Sequence, residues 1–277
     1  MRKAFTVVEV VFVVVMLGIL MAAAIWTMPR TELKQATESM INNLKYTKTL
    51  AQLDDRFFGT KDTYYFDTVA IKDKDTAALR QVEHYQCGKW QFQFHQSAGK
   101  QTTTSINTYT IFADNAGSDS KNFDGKPLDG DIIARDPMTK ACLSGYNETN
   151  LSECNENFSP EARFGDTFGV ELDSIVTGEA NCAYQKNSTF SIFFDNEGMP
   201  YCKVGQNACT KDSNLPTRLT ESVTIKLTRK KESAYICITK GGIIDFGNPV
   251  DKNGNPIKDS SGRNRGIPVE NGACKDV

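Results

Sequence analysis

The rhythm of apolar and polar positions changes twice along this chain. From Phe5 to Met28 the residues are almost all apolar, with Thr6, Glu9 and Thr27 as the polar members and Gly18 as the only glycine. At ~1.5 Å rise per residue, one helix over this run is long enough to cross a hydrocarbon core of ~30 Å. Arg2 and Lys3 precede it and mixed charge (Arg30, Glu32, Lys34) follows. The bias of cytoplasmic flanks toward cations then predicts a single-pass membrane protein with Met1 in the cytoplasm and the rest exported. After Pro29, apolar residues recur at Leu33, Ala36, Met40, Ile41, Leu44, Leu50 and Leu53. This spacing of three and four predicts an amphipathic helix over 29–55, with Glu32 near its start.

Beyond residue 55 the period becomes two. Trp90, Phe92 and Phe94 alternate with Gln91, Gln93 and His95, and Tyr109, Ile111 and Ala113 repeat the pattern. Phe190, Ile192 and Phe194 lead to a turn at Asp195-Asn-Glu-Gly198. Val223, Ile225 and Leu227 are followed by Tyr235-Ile-Cys-Ile238 and a Gly241-Gly242 turn. Alternation of this kind predicts an antiparallel sheet with one face in solvent. A helix followed by many strands gives an α+β fold: a long N-terminal hydrophobic helix, transmembrane and continuing as an amphipathic spine, with a β-rich head over 56–277. Polar loops are expected near 59–82 and 115–173, with a polar tail over 247–277.

A glutamate near the start of so apolar a segment is costly in a plain anchor, because a buried carboxylate needs a partner. The leader Met1-Arg-Lys-Ala4, followed by Phe5-Thr-Val-Val-Glu9 and an apolar run to Trp26, resembles the N-terminus of a type IV prepilin or pseudopilin. That resemblance implies a leader of residues 1–4, cleavage by a prepilin peptidase between Ala4 and Phe5, methylation of the new N-terminal Phe5, and a helix over 5–28. It also implies a role in assembly for Glu9, whose carboxylate would pair with the freed amine of a neighbouring subunit. The family usually has Gly before the cut, where this chain has Ala4. The stretch Ser39 to Arg56, the turn at Phe194-Asp-Asn-Glu-Gly198 and the segment Ile236 to Ile244 look like H-type minor pseudopilins and their pilus counterparts. The implied function is a minor structural subunit of a type II secretion or type IV pilus-like machine. Its implied partners are other pilin subunits, the prepilin peptidase and an inner-membrane assembly platform, and its implied place is the bacterial inner membrane with the head in the periplasm. An ordinary signal peptide is the rival reading: Ala22-Ala23-Ala24 has the form of a cleavage site and would leave a soluble exported chain beginning at Ile25.

All eight cysteines, Cys87, Cys142, Cys154, Cys182, Cys202, Cys209, Cys237 and Cys274, follow the amphipathic helix. An even number in a head read as exported points to disulfides, with 105 connectivities open to eight cysteines. Sequence proximity favours Cys142 with Cys154 and Cys202 with Cys209, while Cys237 is a partner for Cys274. No zinc spacing is present beyond His84-x-x-Cys87. No nucleophile elbow, phosphate loop or zincin motif occurs, so the chain reads as a non-enzyme that requires no cofactor.

Two binding chemistries remain open. The acidic stretch holding Asp119, Asp124, Asp129 and Asp131 offers oxygen ligands for calcium, without the Asp-x-Asp-x-Asp-Gly spacing. DNA contact in an uptake pilin needs a basic face, and the chain, with 32 Lys+Arg against 34 Asp+Glu, has a net charge of -2. Its one cluster is Lys226, Arg229, Lys230 and Lys231, at the turn of the hairpin expected over Val223 to Ile238.

Overall fold

The computed structural model describes residues 7–27, 32–54, 88–95, 107–114, 125–128, 130–145, 151–155, 157–185, 188–205, 215–250 and 266–275; at Glu9, 20–27, Ser152 and Asn181 it describes the backbone alone. The expected loop over 59–82 lies outside these residues. The chain divides into two compact units, Met1–Thr31 and Glu32–Val277.

The first unit holds helix α1, Val7–Thr27. Its described side chains end at Ile19. Among the described residues no helix is long and apolar enough to cross a membrane. This finding overturns the transmembrane helix of the expected fold, and with it the single-pass inner-membrane placement and its periplasmic head.

The second unit is dominated by strands around one helix, α2, Glu32–Leu53. Leu33, Ala36, Thr37, Met40, Ile41, Leu44, Thr47 and Ala51 are buried along it, the three-and-four spacing read from the sequence. Thr37 and Thr47 are tolerated there because their hydroxyls donate to the carbonyls of Leu33 (2.6 Å) and Asn43 (2.7 Å), one turn back.

Among the described residues twelve strands follow: β1 Trp90–His95, β2 Thr108–Ala113, β3 Ile132–Ile133, β4 Glu171–Val176, β5 Phe190–Phe194, β6 Pro200–Val204, β7 Thr217–Arg218, β8 Val223–Arg229, β9 Glu232–Ile238, β10 Ile244–Pro249, β11 Ile267–Glu270 and β12 Ala273–Cys274. A short helix, α3, spans Phe164–Phe168. The first sheet has the order β3-β2-β1-β5-β6-β7 and the second β12-β11-β10-β9-β8-β4. Every pairing in the first is antiparallel, whereas β10 and β11 run parallel, so the second sheet is mixed.

Helix α2 touches β1 and β5 of one sheet and β8, β9 and β10 of the other. The main core joins Met40, Ile41 and Leu44 to Phe92, Phe94, Ile192 and Phe194 on one side and Ile225, Leu227, Ile236 and Ile238 on the other. The architecture is therefore mostly β, with two six-stranded sheets sharing one helix, which replaces the expected α+β head on a membrane-anchored spine. The expectation of sheets with one solvated face also fails for the three central strands of the first sheet. Every residue of β1, β2 and β5 is buried. The stretch 115–173, read as a polar loop, contains β3, α3, the start of β4 and two short 3-10 turns, and the polar tail carries β11 and β12.

Candidate functional site

The residues that carry the family resemblance fall at the N-terminus. Ala4 and Phe5 lie outside the described residues, and Glu9 is within α1 with only its backbone described. What the structure adds is the surface around it. Val7 is 80% and Phe12 63% exposed, and Val8, Val10, Val11, Val13, Val14, Val15, Met16, Leu17 and Ile19 are exposed with them. At Gly18 an added Cβ would meet nothing within 4 Å. So many exposed apolar side chains on one helix mark an interaction surface, since single exposed hydrophobes are ordinary and a cluster of them is not. A glycine with open space beside it lets another helix approach closely.

The basic cluster does not form a free cationic face. The ammonium of Lys226 lies 2.8 Å from Asp173, and its hydrogen bond to that carboxylate holds its pKa above the usual lysine value. Arg229 pairs with Glu32 at 3.3 Å, and its Nε donates to the Phe168 carbonyl at 2.9 Å. It thus ties the β8–β9 turn to the first residue of α2 and to the end of α3. Lys230, with φ of 55°, and Lys231 form the exposed turn itself. Two of the four cations are committed to partners within the chain, which leaves little for counterion release from a phosphate backbone.

Of the acidic set, Asp131 is the described member. Asp119, Asp124 and Asp129 lie outside the described residues. Asp131 is buried and accepts the Leu128 amide at 2.9 Å, closing its own turn. Nearby Asp114 accepts the Gly125 amide at 2.7 Å. Among the described residues no group of His, Cys, Asp and Glu could hold a metal ion.

Three disulfides are described. Cys142–Cys154 and Cys237–Cys274 join the residues that the sequence reading paired. Cys202 instead bonds Cys182, a correction to the expected Cys202–Cys209 loop. The reason is the alternation of β6. Cys202 stands opposite Ile192 and is fully buried toward the core, and the 3-10 turn Ala180–Cys182 brings Cys182 against β6 on that buried side. Sequence proximity says nothing about which strand face a cysteine occupies. Cys87 and Cys209 lie outside the described residues.

The sequence reading missed a buried polar row across the first sheet. Register aligns Lys203, Ser191, Gln93 and Thr110 on four successive strands, and Thr110 bridges to Ser144 with 3.0 Å between hydroxyls. Gln93 Nε2 donates to the Gly125 carbonyl and to Ser191 Oγ, each at 2.9 Å. At the end of β1, Lys89 Nζ sits 3.7 Å from the centre of the Tyr201 ring, while the Tyr201 hydroxyl donates to Asp195 at 3.1 Å. Burial lowers the Lys89 pKa to about 8, Asp195 opposing the shift and Arg218 adding to it. The cation is held by a ring face and a nearby carboxylate, a substitute for lost hydration.

No protein-family model, no curated protein and no solved structure matches the chain.

Proposed function

We propose that this chain is a minor pilin-like structural subunit, which joins other pilin subunits by packing its N-terminal helix against theirs. The observation that carries the reading is the set of exposed apolar side chains of α1 at Val7, Val8, Val10 to Leu17 and Ile19, while the core of the second unit is closed within itself. A neighbouring helix of the same character would remove this surface from water at about 25 cal/mol per Å² of apolar area. In this reading a prepilin peptidase cuts between Ala4 and Phe5. The freed amine of one subunit then neutralises Glu9 of the next, which fixes the register of helices that apolar contact alone would let slide. The disulfide-bonded strands form the part displayed outside the helical bundle, and Lys226 and Arg229, being paired internally, serve the fold of that part.

The test is the mature N-terminus of protein from its native source, by intact mass and terminal peptide analysis. A chain beginning with N-methylated Phe5 is expected, and one beginning at Ile25 would sink the proposal. Glu9→Val should then lower recovery of the chain in filament fractions severalfold while its total amount is unchanged. Equal recovery would remove the pairing role of Glu9.

A further inference from the structure

The C-terminal hairpin is attached to the second sheet in an unusual way. β11 pairs with β10 over only three positions, Gly247 with Ile267, Asn248 with Pro268 and Pro249 with Val269. Two of these three pairs contain a proline, which has no N–H to donate, so the ladder is poor in hydrogen bonds. The adjoining Val250 amide donates to the Val269 carbonyl at 3.0 Å.

β12 then pairs with β11, yet it also touches β8, four places away in the strand order. The hairpin is thus folded back across the sheet's outer face. Thr224 and Cys237 are a cross-strand pair on β8 and β9, and both hold Cys274: the Thr224 hydroxyl accepts the Cys274 amide at 2.6 Å and Cys237 bonds its sulfur. Beneath lies a small apolar cluster of Cys237, Ile267, Val269 and Cys274 with Tyr235 against it, separate from the main core. Gly247 makes this fit possible, since a Cβ there would come within 2.6 Å of both Tyr235 and Val269 side-chain atoms.

Among the cysteines of the described disulfides Cys274 is also the most exposed. Cys274 is 9% exposed, whereas Cys142, Cys154, Cys182 and Cys202 are 1% or less. Thiol exchange requires approach to a sulfur, so accessibility ranks the bonds.

We propose that the C-terminal hairpin is a latch over the β10 edge, closed by Cys237–Cys274 and opened by a dithiol. One thiolate of the dithiol attacks the Cys274 sulfur and Cys237 leaves as a thiolate. The second thiol of the reagent resolves the mixed disulfide, so two protein thiols and one cyclic disulfide are formed. With the bond gone, the proline-poor-in-donors ladder does not hold β11 and β12, and the edge of β10 becomes a free row of backbone groups able to pair with another strand. The inference does not depend on the proposed function.

The experiment is limited treatment of the folded full chain with dithiothreitol, followed by alkylation, peptide mass analysis and hydrogen exchange. Cys237 and Cys274 should be alkylated at least tenfold faster than Cys142, Cys154, Cys182 and Cys202. The amides of Val250 and Cys274 should then exchange at least tenfold faster, with Ile225 and Ile236 unchanged. Alkylation of the other four at the same rate, or retained protection of Val250 and Cys274 after the bond is open, would overturn the proposal. Cys274→Ser provides a second route without reductant. Local loss of protection at Val250 supports a latch, and loss across β8 and β9 as well would mean that the hairpin is part of the cooperative fold.

Discussion

The two sheets begin from the same sequence pattern and end in opposite environments. In the first, Gln91, Gln93 and His95 alternate with Trp90, Phe92 and Phe94, and both sets are buried. In the second, β4 buries Leu172 and Ile175 and leaves its other four residues exposed or half-buried, and Thr228 and Ser233 near the β8–β9 turn are half-buried and exposed. Alternation therefore reports two chemically different faces and does not report which of them meets solvent. What separates the sheets is the fate of the polar face. In the first it is organised into a row from Lys203 through Ser191 and Gln93 to Thr110 and Ser144, and a buried polar group of this kind is tolerable only while its partners are in place.

Acid should separate the sheets most strongly. Burial lowers the His95 pKa to about 3, whereas an unfolded histidine titrates near 6.5. Below that value the unfolded chain takes up a proton that the folded chain refuses, so stability is complete above about pH 6.5 and falls as pH decreases toward 3. The loss at pH 5 is about 2 kcal/mol. Urea unfolding at pH 7 and pH 5 should show it, and His95→Gln should remove that part of the slope that carboxylates do not explain. An unaltered slope would mean that His95 is not a buried neutral group.

Truncation on the two outer faces gives the next contrast. Gln93→Ala removes the bonds to Gly125 and Ser191 and should cost about 1–3 kcal/mol, because partners are left buried. Thr228→Ala on β8, half-buried at the open face, should fall within about 0.5 kcal/mol of the parent. Equal costs would erase the distinction.

One effect has the opposite sign. Among the described residues neither side-chain atom of Gln91 has a hydrogen-bond partner, although the residue is 1% exposed. Gln91→Leu keeps the volume and removes the unmet amide, so thermal melting should show a gain of about 1 kcal/mol. A loss of stability would reveal a partner for the amide.

These positions also mark where the sequence was readable. The face of α2 that meets the core was legible because a helix buried along one stripe repeats its apolar residues every three or four positions. Phe92, Ile192, Ile225 and Ile236 were legible as inward residues for the corresponding reason in strands. The burial of Gln91, Gln93 and His95 was not, since it depends on what covers the sheet and not on the strand itself. The strands β3, β7, β11 and β12 are too short to show a period, and β11 is held by a parallel pairing that no local pattern encodes. The Cys182–Cys202 bond eluded the preference for neighbours because a strand face, and not chain separation, selected the partner. Of the residues singled out for function, Lys226 and Arg229 were visible as charge, while their internal partners Asp173 and Glu32 were distant in sequence.

The position of α2 between the sheets sets a timetable for the chain. Its residues, Glu32–Leu53, are made early, but the strands that cover it include β8, β9 and β10, at Val223–Pro249. Contacts so far apart in sequence make folding slow, because the loop must be closed before the contact repays it. Until synthesis nears the C-terminus, α2 has β1, β5 and α3 beside it without β8, β9 and β10. A nascent chain arrested before residue 223 would thus present half a core, a natural substrate for chaperones.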